Sequence, residues 1–161
     1  MSKAITICSV SNQKNKFNIF KKKLDVIMLP DNIIPHKAYT YIDDYTFTYI
    51  YNPVKQLIID KGSYCLGFAD TARGNILSIQ SPAPDGTYAI VRVDNHRIEL
   101  LSDYTGMRTI WQYHDKEYFI ASTSQRMIIS FLGNLKLNND AVRWMLSSGT
   151  LGPENSWDKR I

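Results

Sequence analysis

Between residues 87 and 121 the chain offers a succession of strand-length runs separated by reversals too short to hold a helix. Residues 87–93 alternate as a half-buried strand does. Asp94-Asn95 follows, a pair that tolerates positive φ and suits a two-residue hairpin turn. Residues 96–101 return. The corner Ser102-Asp103-Tyr104-Thr105-Gly106-Met107-Arg108 comes next. There Asp103 can cap its own turn through its side-chain oxygens, and Gly106 can take backbone angles that other residues resist. Residues 107–113 resume as a strand, His114-Asp115-Lys116-Glu117 turns, and residues 118–121 return. A stretch of this kind is predicted to fold as an antiparallel meander.

The flanks complete the fold class. Residues 4–10 read as a buried strand and residues 12–24 as a short amphipathic helix or an extended basic arm. Phe17, Phe20 and Leu24 stand at helical spacing in it. Residues 29–32 form a turn. Residues 38–51, rich in Tyr, Thr, Phe and Ile, fit two strands broken at Asp43-Asp44, and Asn52-Pro53 ends the second. Residues 57–59 and 63–68 are further strands. After the meander, Ser122 or Thr123 is expected to cap a helix running to about Leu132, with Ile128, Phe131 and Leu132 as its apolar stripe. A second helix over 140–146 starts behind Asn139 and stops before Gly149. Strands followed by helices predict an α+β class with layered antiparallel sheets. A length of 161 residues suits one domain with a real core, and 44% hydrophobic with 21% charged residues matches a folded globule.

Several function classes lose their footing on composition. No apolar run is long enough to span a bilayer, and no apolar core follows the first Lys as a signal peptide requires. No membrane association and a cytoplasmic location are therefore expected. Cys8 and Cys65 sit in apolar runs and read as buried thiols, without the paired Cys-His spacing of a zinc site. His36, His96 and His114 show no metal or triad spacing. Asp43 and Asp44, if on a strand, would point to opposite faces and cannot form a carboxylate dyad. The net charge is +4, concentrated in Lys3, Lys14, Lys16, Lys21, Lys22 and Lys23 ahead of the first acid, Asp25. A block without Arg, above Phe17, Phe20 and Leu24 at helical spacing, reads as a solvated helix face, so no nucleic-acid partner is expected.

The motifs carry a resemblance. Asp85-Gly86-Thr87-Tyr88-Ala89-Ile90, then 98–111 with the acid Asp103, Gly106 and the basic Arg108, then Phe119-Ile120-Ala121-Ser122-Thr123 and Leu146-Ser147-Ser148-Gly149-Thr150-Leu151-Gly152 occur in order. They resemble the N-terminal class II glutamine amidotransferase domain of the asparagine synthetase and β-lactam synthetase superfamily, which has the Ntn-hydrolase fold. The likeness covers about half of the chain, from residue 85 onward. It implies a four-layer αββα sandwich over residues 1–152, and a linker over 153–161 toward a C-terminal synthetase domain as partner. ATP and magnesium would belong to that partner domain. No Gly-rich pyrophosphate loop of the Ser-Gly-Gly type lies in this chain, so no cofactor is expected in it. A homodimer stays open.

The family's glutaminase needs an N-terminal nucleophile whose own α-amino group acts as base. Ser2 would be that residue if Met1 were removed, but Lys3 and Ala4 follow it instead of Gly-Ile. The oxyanion-hole Asn-Gly pair is matched only by Gly67, because Leu66 replaces the Asn and Phe68 the acid after it. A missing oxyanion donor costs roughly two to three orders of magnitude in rate. No Arg precedes Arg73 to hold a glutamine carboxylate, and Lys lacks the bidentate fork. Asp103 matches the acid that receives the α-amino group, though with the other pocket residues gone a turn cap is the favoured reading. The expectation is a degenerate, glutaminase-inactive module of an asparagine-synthetase-like amide ligase. The alternatives are an active Ser2 amidohydrolase or a stand-alone basic binding domain.

Overall fold

A computed structural model describes residues 2–27, 38–53, 55–72, 74–94, 97–152 and 155–161. In chain order they form β1 (Lys3–Ser9), α1 (Lys14–Ile27), β2 (Tyr39–Ile42), β3 (Thr46–Tyr51), β4 (Ile58–Asp60), β5 (Ser63–Ala69), β6 (Gly86–Asp94), β7 (Arg97–Ser102), β8 (Trp111–His114), β9 (Tyr118–Ser122), α2 (Gln125–Leu132) and α3 (Asn139–Ser148). The class is α+β, with two antiparallel sheets. One runs β2-β3-β1-β9-β8 and the other β4-β5-β6-β7. The N-terminal strand is thus the centre of the first sheet, paired with β3 on one side and β9 on the other.

Strand alternation builds the layers. Even-numbered residues of β1 and β3 face the second sheet. Ala4, Ile50 and Ala121 meet Tyr64, Leu66 and Val91 in one buried cluster, which stacks the two sheets face to face. Odd-numbered residues face the helices. Ile5, Ile7, Phe47, Tyr49 and Ile120 pack against Phe17, Phe20 and Leu24 of α1 and Met127 and Ile128 of α2. Phe20 meets Phe47 and Phe131 edge-on, with ring centroids 5.6 and 5.1 Å apart. Each buried aromatic or leucine there contributes about 1.5–3 kcal/mol.

Two expectations about strands and layers are corrected. The hairpin β6-β7 and the hairpin β8-β9 belong to different sheets, so residues 87–121 are no single meander. Residues 103–110 carry the chain from the edge of one sheet to the edge of the other, and the strand expected from 107 begins only at Trp111. The outer face of the second sheet is also not helical among the described residues. Ile76 and Leu77, on the non-helical stretch between β5 and β6, close over Cys65, Tyr88 and Ile90.

The helix caps shift. α1 is a helix and not an arm. Ser124, and neither Ser122 nor Thr123, is the N-cap residue of α2. Ser122 instead stays in β9, buried, with its hydroxyl donating to the Ala4 carbonyl at 2.7 Å, while Thr123 Oγ1 accepts the Ala4 N–H at 2.9 Å. Asn138, not Asn139, caps α3, its side chain accepting from Asp140 and Ala141 N–H, and Gly149 closes the helix at φ 73° as expected. The expected turn at 29–32, Asn95, His36 and His96 lie outside the described residues.

Residues 155–161, expected as part of a linker, dock on the body. Asp158 bridges to Leu137, and Ile161 packs against the helix-side core. No helix among the described residues is long and apolar enough to cross a membrane.

Candidate functional site

Register gathers the expected site residues at one end of the sandwich. Ser2 immediately precedes Lys3, which pairs with Tyr51, and so stands at the start of β1. Gly67 pairs with Tyr88 near the end of β5. The Tyr88 carbonyl accepts the Asp103 N–H at 3.1 Å. The opposite end holds Cys8, paired with Thr46, and Gly62, just before β5, which lies against Thr46.

Ser2 is buried, and its hydroxyl donates to the Asn52 carbonyl at 2.6 Å. Asn52 takes a left-handed φ of 53° there. A hydroxyl whose proton goes to a carbonyl oxygen is not activated, because a carbonyl cannot accept that proton as a base. Leu66 is buried in the inter-sheet core and offers no donor. Phe68 is exposed.

Gly67 is required by its backbone and its neighbours together. Its φ is 119°, and a Cβ there would sit 2.2 Å from the Thr87 carbonyl oxygen and 2.8 Å from Arg108 Nε. Arg108 therefore lies directly over the strand at the glycine. The early Arg that the family pattern calls for is absent, and this later one arrives at the same strand from the loop between the sheets.

Asp103 turns its carboxylate into its own loop. Its Oδ2 accepts from the Thr105 hydroxyl and, at 3.2 Å, from the Met107 N–H. Its carbonyl accepts the Gly106 N–H at 2.9 Å, with Gly106 at φ 64°. The Thr105 hydroxyl, with the Met107 and Arg108 N–H groups, holds the Asp103 carboxyl below its ordinary range. Its Oδ1 is buried with no hydrogen-bond partner. The acid is thus a turn organiser whose charge already has donors.

Arg108 was quoted within the motif but given no role in the sequence. Its signal was the Gly two residues earlier, which bends the loop and sends the side chain back across β5. Together with Ser102, Thr109, Gln112, Leu100 and Ile110 it lines a cleft of about 330 Å³ beside the loop.

A second cleft, of about 590 Å³, opens at the other end of the sandwich around Cys8, Tyr45, Arg97 and Phe119. Two of its acids have structural duties. Asp115 accepts from Tyr113 OH and the Glu117 and Tyr118 N–H groups. Glu117 accepts from Gln13 and Tyr118 OH. Burial pushes the Cys8 thiol up to about 11, the wrong direction for a nucleophile. Among the described residues no group of three or more His, Cys, Asp or Glu side chains is placed to hold a metal ion.

The lysine block of α1 is largely engaged within the chain. Lys16 donates to Tyr118 OH at 2.7 Å, Lys21 pairs with Asp25 at 3.1 Å, Lys23 donates to the Ser130 carbonyl at 2.6 Å and Lys14 lies 3.6 Å from Asp44. No family model, curated protein or solved structure matches the chain.

Proposed function

We propose that this chain is an amidotransferase-like module of Ntn-hydrolase type that lacks glutaminase chemistry. It would serve as the structural and interaction part of an ATP-dependent, asparagine-synthetase-like amide-forming enzyme. The observation that carries this reading is the joint position of Ser2, Gly67 and Asp103 at one end of two stacked sheets, with the Ser2 hydroxyl bound to a carbonyl and the Asp103 carboxylate closed on Thr105 and Met107. The frame for a pocket is present, while the nucleophile, the oxyanion donor and the carboxylate clamp of the family pattern are not. ATP and magnesium would act in the companion synthetase domain. The active Ser2 amidohydrolase is disfavoured by the Ser2–Asn52 contact, and the stand-alone basic binder by the partners of Lys14, Lys16, Lys21 and Lys23.

The test has two arms. Glutamine incubated with the chain should yield no ammonia, and the diazo-ketone analogue of glutamine should leave its mass unchanged. Ammonia release that vanishes in Ser2→Ala would overturn the inert-site half. In the natural full-length protein, ATP–pyrophosphate exchange should persist in Ser2→Ala. A full-length protein without any ATP-binding synthetase domain would overturn the other half.

A further inference from the structure

The loop between the two sheets has features that the inert module does not need. Of the described residues lining its cleft of about 330 Å³, Arg108 is the single charged one. No carboxylate lines the cleft, and no hydrogen bond or ion pair ties the Arg108 guanidinium down among the described residues. Asp103, five residues away, takes the Thr105 hydroxyl and the Met107 and Arg108 N–H groups on its carboxylate, and it forms no ion pair with the Arg108 side chain among the described residues. The walls add the hydroxyls of Ser102 and Thr109 and the amide of Gln112, all able to donate to an anion. Leu100 and Ile110 add apolar surface.

Exposed apolar side chains neighbour these residues in the chain without lining the cleft. Phe68 (67% exposed) follows the glycine over which Arg108 lies, and Met107 (74%) and Tyr104 (fully exposed) stand on the same loop as Arg108. Exposed Tyr and Met beside a half-buried Arg have the composition of an interface centre, where charged groups other than Arg are depleted. The loop is also held in one shape. Asp103 ties residues 103–107 together through its carboxylate and carbonyl, so little ordering entropy is left to lose on binding.

We propose that this end of the molecule binds an acidic peptide segment, with a carboxylate on Arg108 and an adjacent apolar side chain against Phe68, Tyr104 and Met107. Charge complementarity selects the carboxylate, which the planar guanidinium can hold by two parallel hydrogen bonds. Inorganic phosphate shares that fork geometry but has nothing to place against the exposed apolar side chains. A nucleic acid would need several cations along a track, and the cleft holds one. The proposal stands independently of whether a synthetase domain accompanies the chain.

N-acetyl-leucine is the probe, with N-acetyl-leucinamide as its neutral match and inorganic phosphate as the anion without an apolar part. Amide and methyl NMR shifts of the folded chain are followed on titration. N-acetyl-leucine should move signals of residues 102–112 and Phe68 in the millimolar range, and its amide should not. Arg108→Gln should weaken binding about tenfold or more, while Arg108→Lys, which keeps the charge, should weaken it less. If Arg108→Gln fails to fold, the wild-type salt dependence and Thr109→Val serve, and both should weaken binding. Equal shifts from acid and amide, shifts located elsewhere, no shifts at all, or phosphate binding as tightly as N-acetyl-leucine would each overturn the proposal.

Discussion

A methyl group at residue 67 has no place to go. The 2.2 Å approach to the Thr87 carbonyl is backbone against backbone, and a φ of 119° lies outside the range of ordinary L-residues. Gly67→Ala should therefore lose about 2–3 kcal/mol, read as a lower denaturant midpoint with an unchanged slope. Gly106→Ala, at φ 64° with nothing within 4 Å of its Cβ, should lose only about 1 kcal/mol, since it faces backbone strain without collision. The contrast shows what was legible in the sequence. That Asp103 is special could be read from an acid and a glycine at a break between apolar runs, whereas Gly67 stood out only through the family resemblance. That Asp103 binds its own loop, and that Arg108 crosses to Gly67, depends on where a loop between two sheets turns, and no local pattern encodes it. Ser2 was legible as a residue near the start of a strand, but its bond to the Asn52 carbonyl spans fifty residues of sequence.

At the level of elements, alternation along β6 correctly marks the face of each side chain but says nothing of what covers it. Arg92 occupies an outward position and is nonetheless almost fully buried. Its guanidinium donates to the carbonyls of Ile76 (2.9 Å), Ser81 (2.7 Å) and Pro82 (3.2 Å) and pairs with Glu99 at 3.1 Å. Glu99 in turn accepts the Gln80 N–H at 2.9 Å. One charged pair therefore pins the segment that replaces a helix over the second sheet. Without Arg92 those carbonyls and Glu99 lose their donors together, so Arg92→Ala should cost about 3 kcal/mol. Hydrogen exchange should rise first at residues 75–82 and at the β5 and β6 amides beneath, while α1 and β1 keep their protection. Uniform loss of protection across both sheets would show that the pair supports the whole molecule and not this cover alone. The crossing at 103–110 was missed for a related reason. Two hairpins read identically in sequence whether they share a sheet or face each other across a core.

Over the whole molecule, residues 155–161 are tied to the body, and that tie depends on pH. Asp158 is fully buried. It accepts from Arg160 Nε at 2.8 Å and Nη2 at 2.6 Å, from the Arg160 N–H at 3.0 Å and from the Lys136 N–H at 2.9 Å. The Arg160 guanidinium, with those two N–H groups, lowers the Asp158 carboxyl to about 2 from an ordinary 3.8. The Glu99, Asp103 and Asp115 carboxyls are lowered as well, each by N–H or hydroxyl donors of its neighbourhood. A carboxyl whose folded value lies below its unfolded value stabilises the fold when the pH exceeds the unfolded value, and that stabilisation disappears as the pH falls through the folded one. Stability should thus be level from neutral pH down to about 5 and decline between about 4 and 2. Asp158 alone contributes roughly 2 kcal/mol of that decline, which corresponds to its downward shift. Asp158→Asn keeps the size and removes the charge, so it should lower the melting temperature at pH 7 and flatten the acid limb. The difference between wild type and variant should narrow as the pH approaches 2. Thermal melts at fixed ionic strength across this range would measure it, and an acid limb as steep in the variant as in the wild type would assign the decline to the other three carboxyls. The same substitution should leave the cleft of Arg108 unchanged, because the tail meets α2 and Tyr113 on the helix side of the first sheet, whereas Gln112, the next residue of β8, lines the cleft.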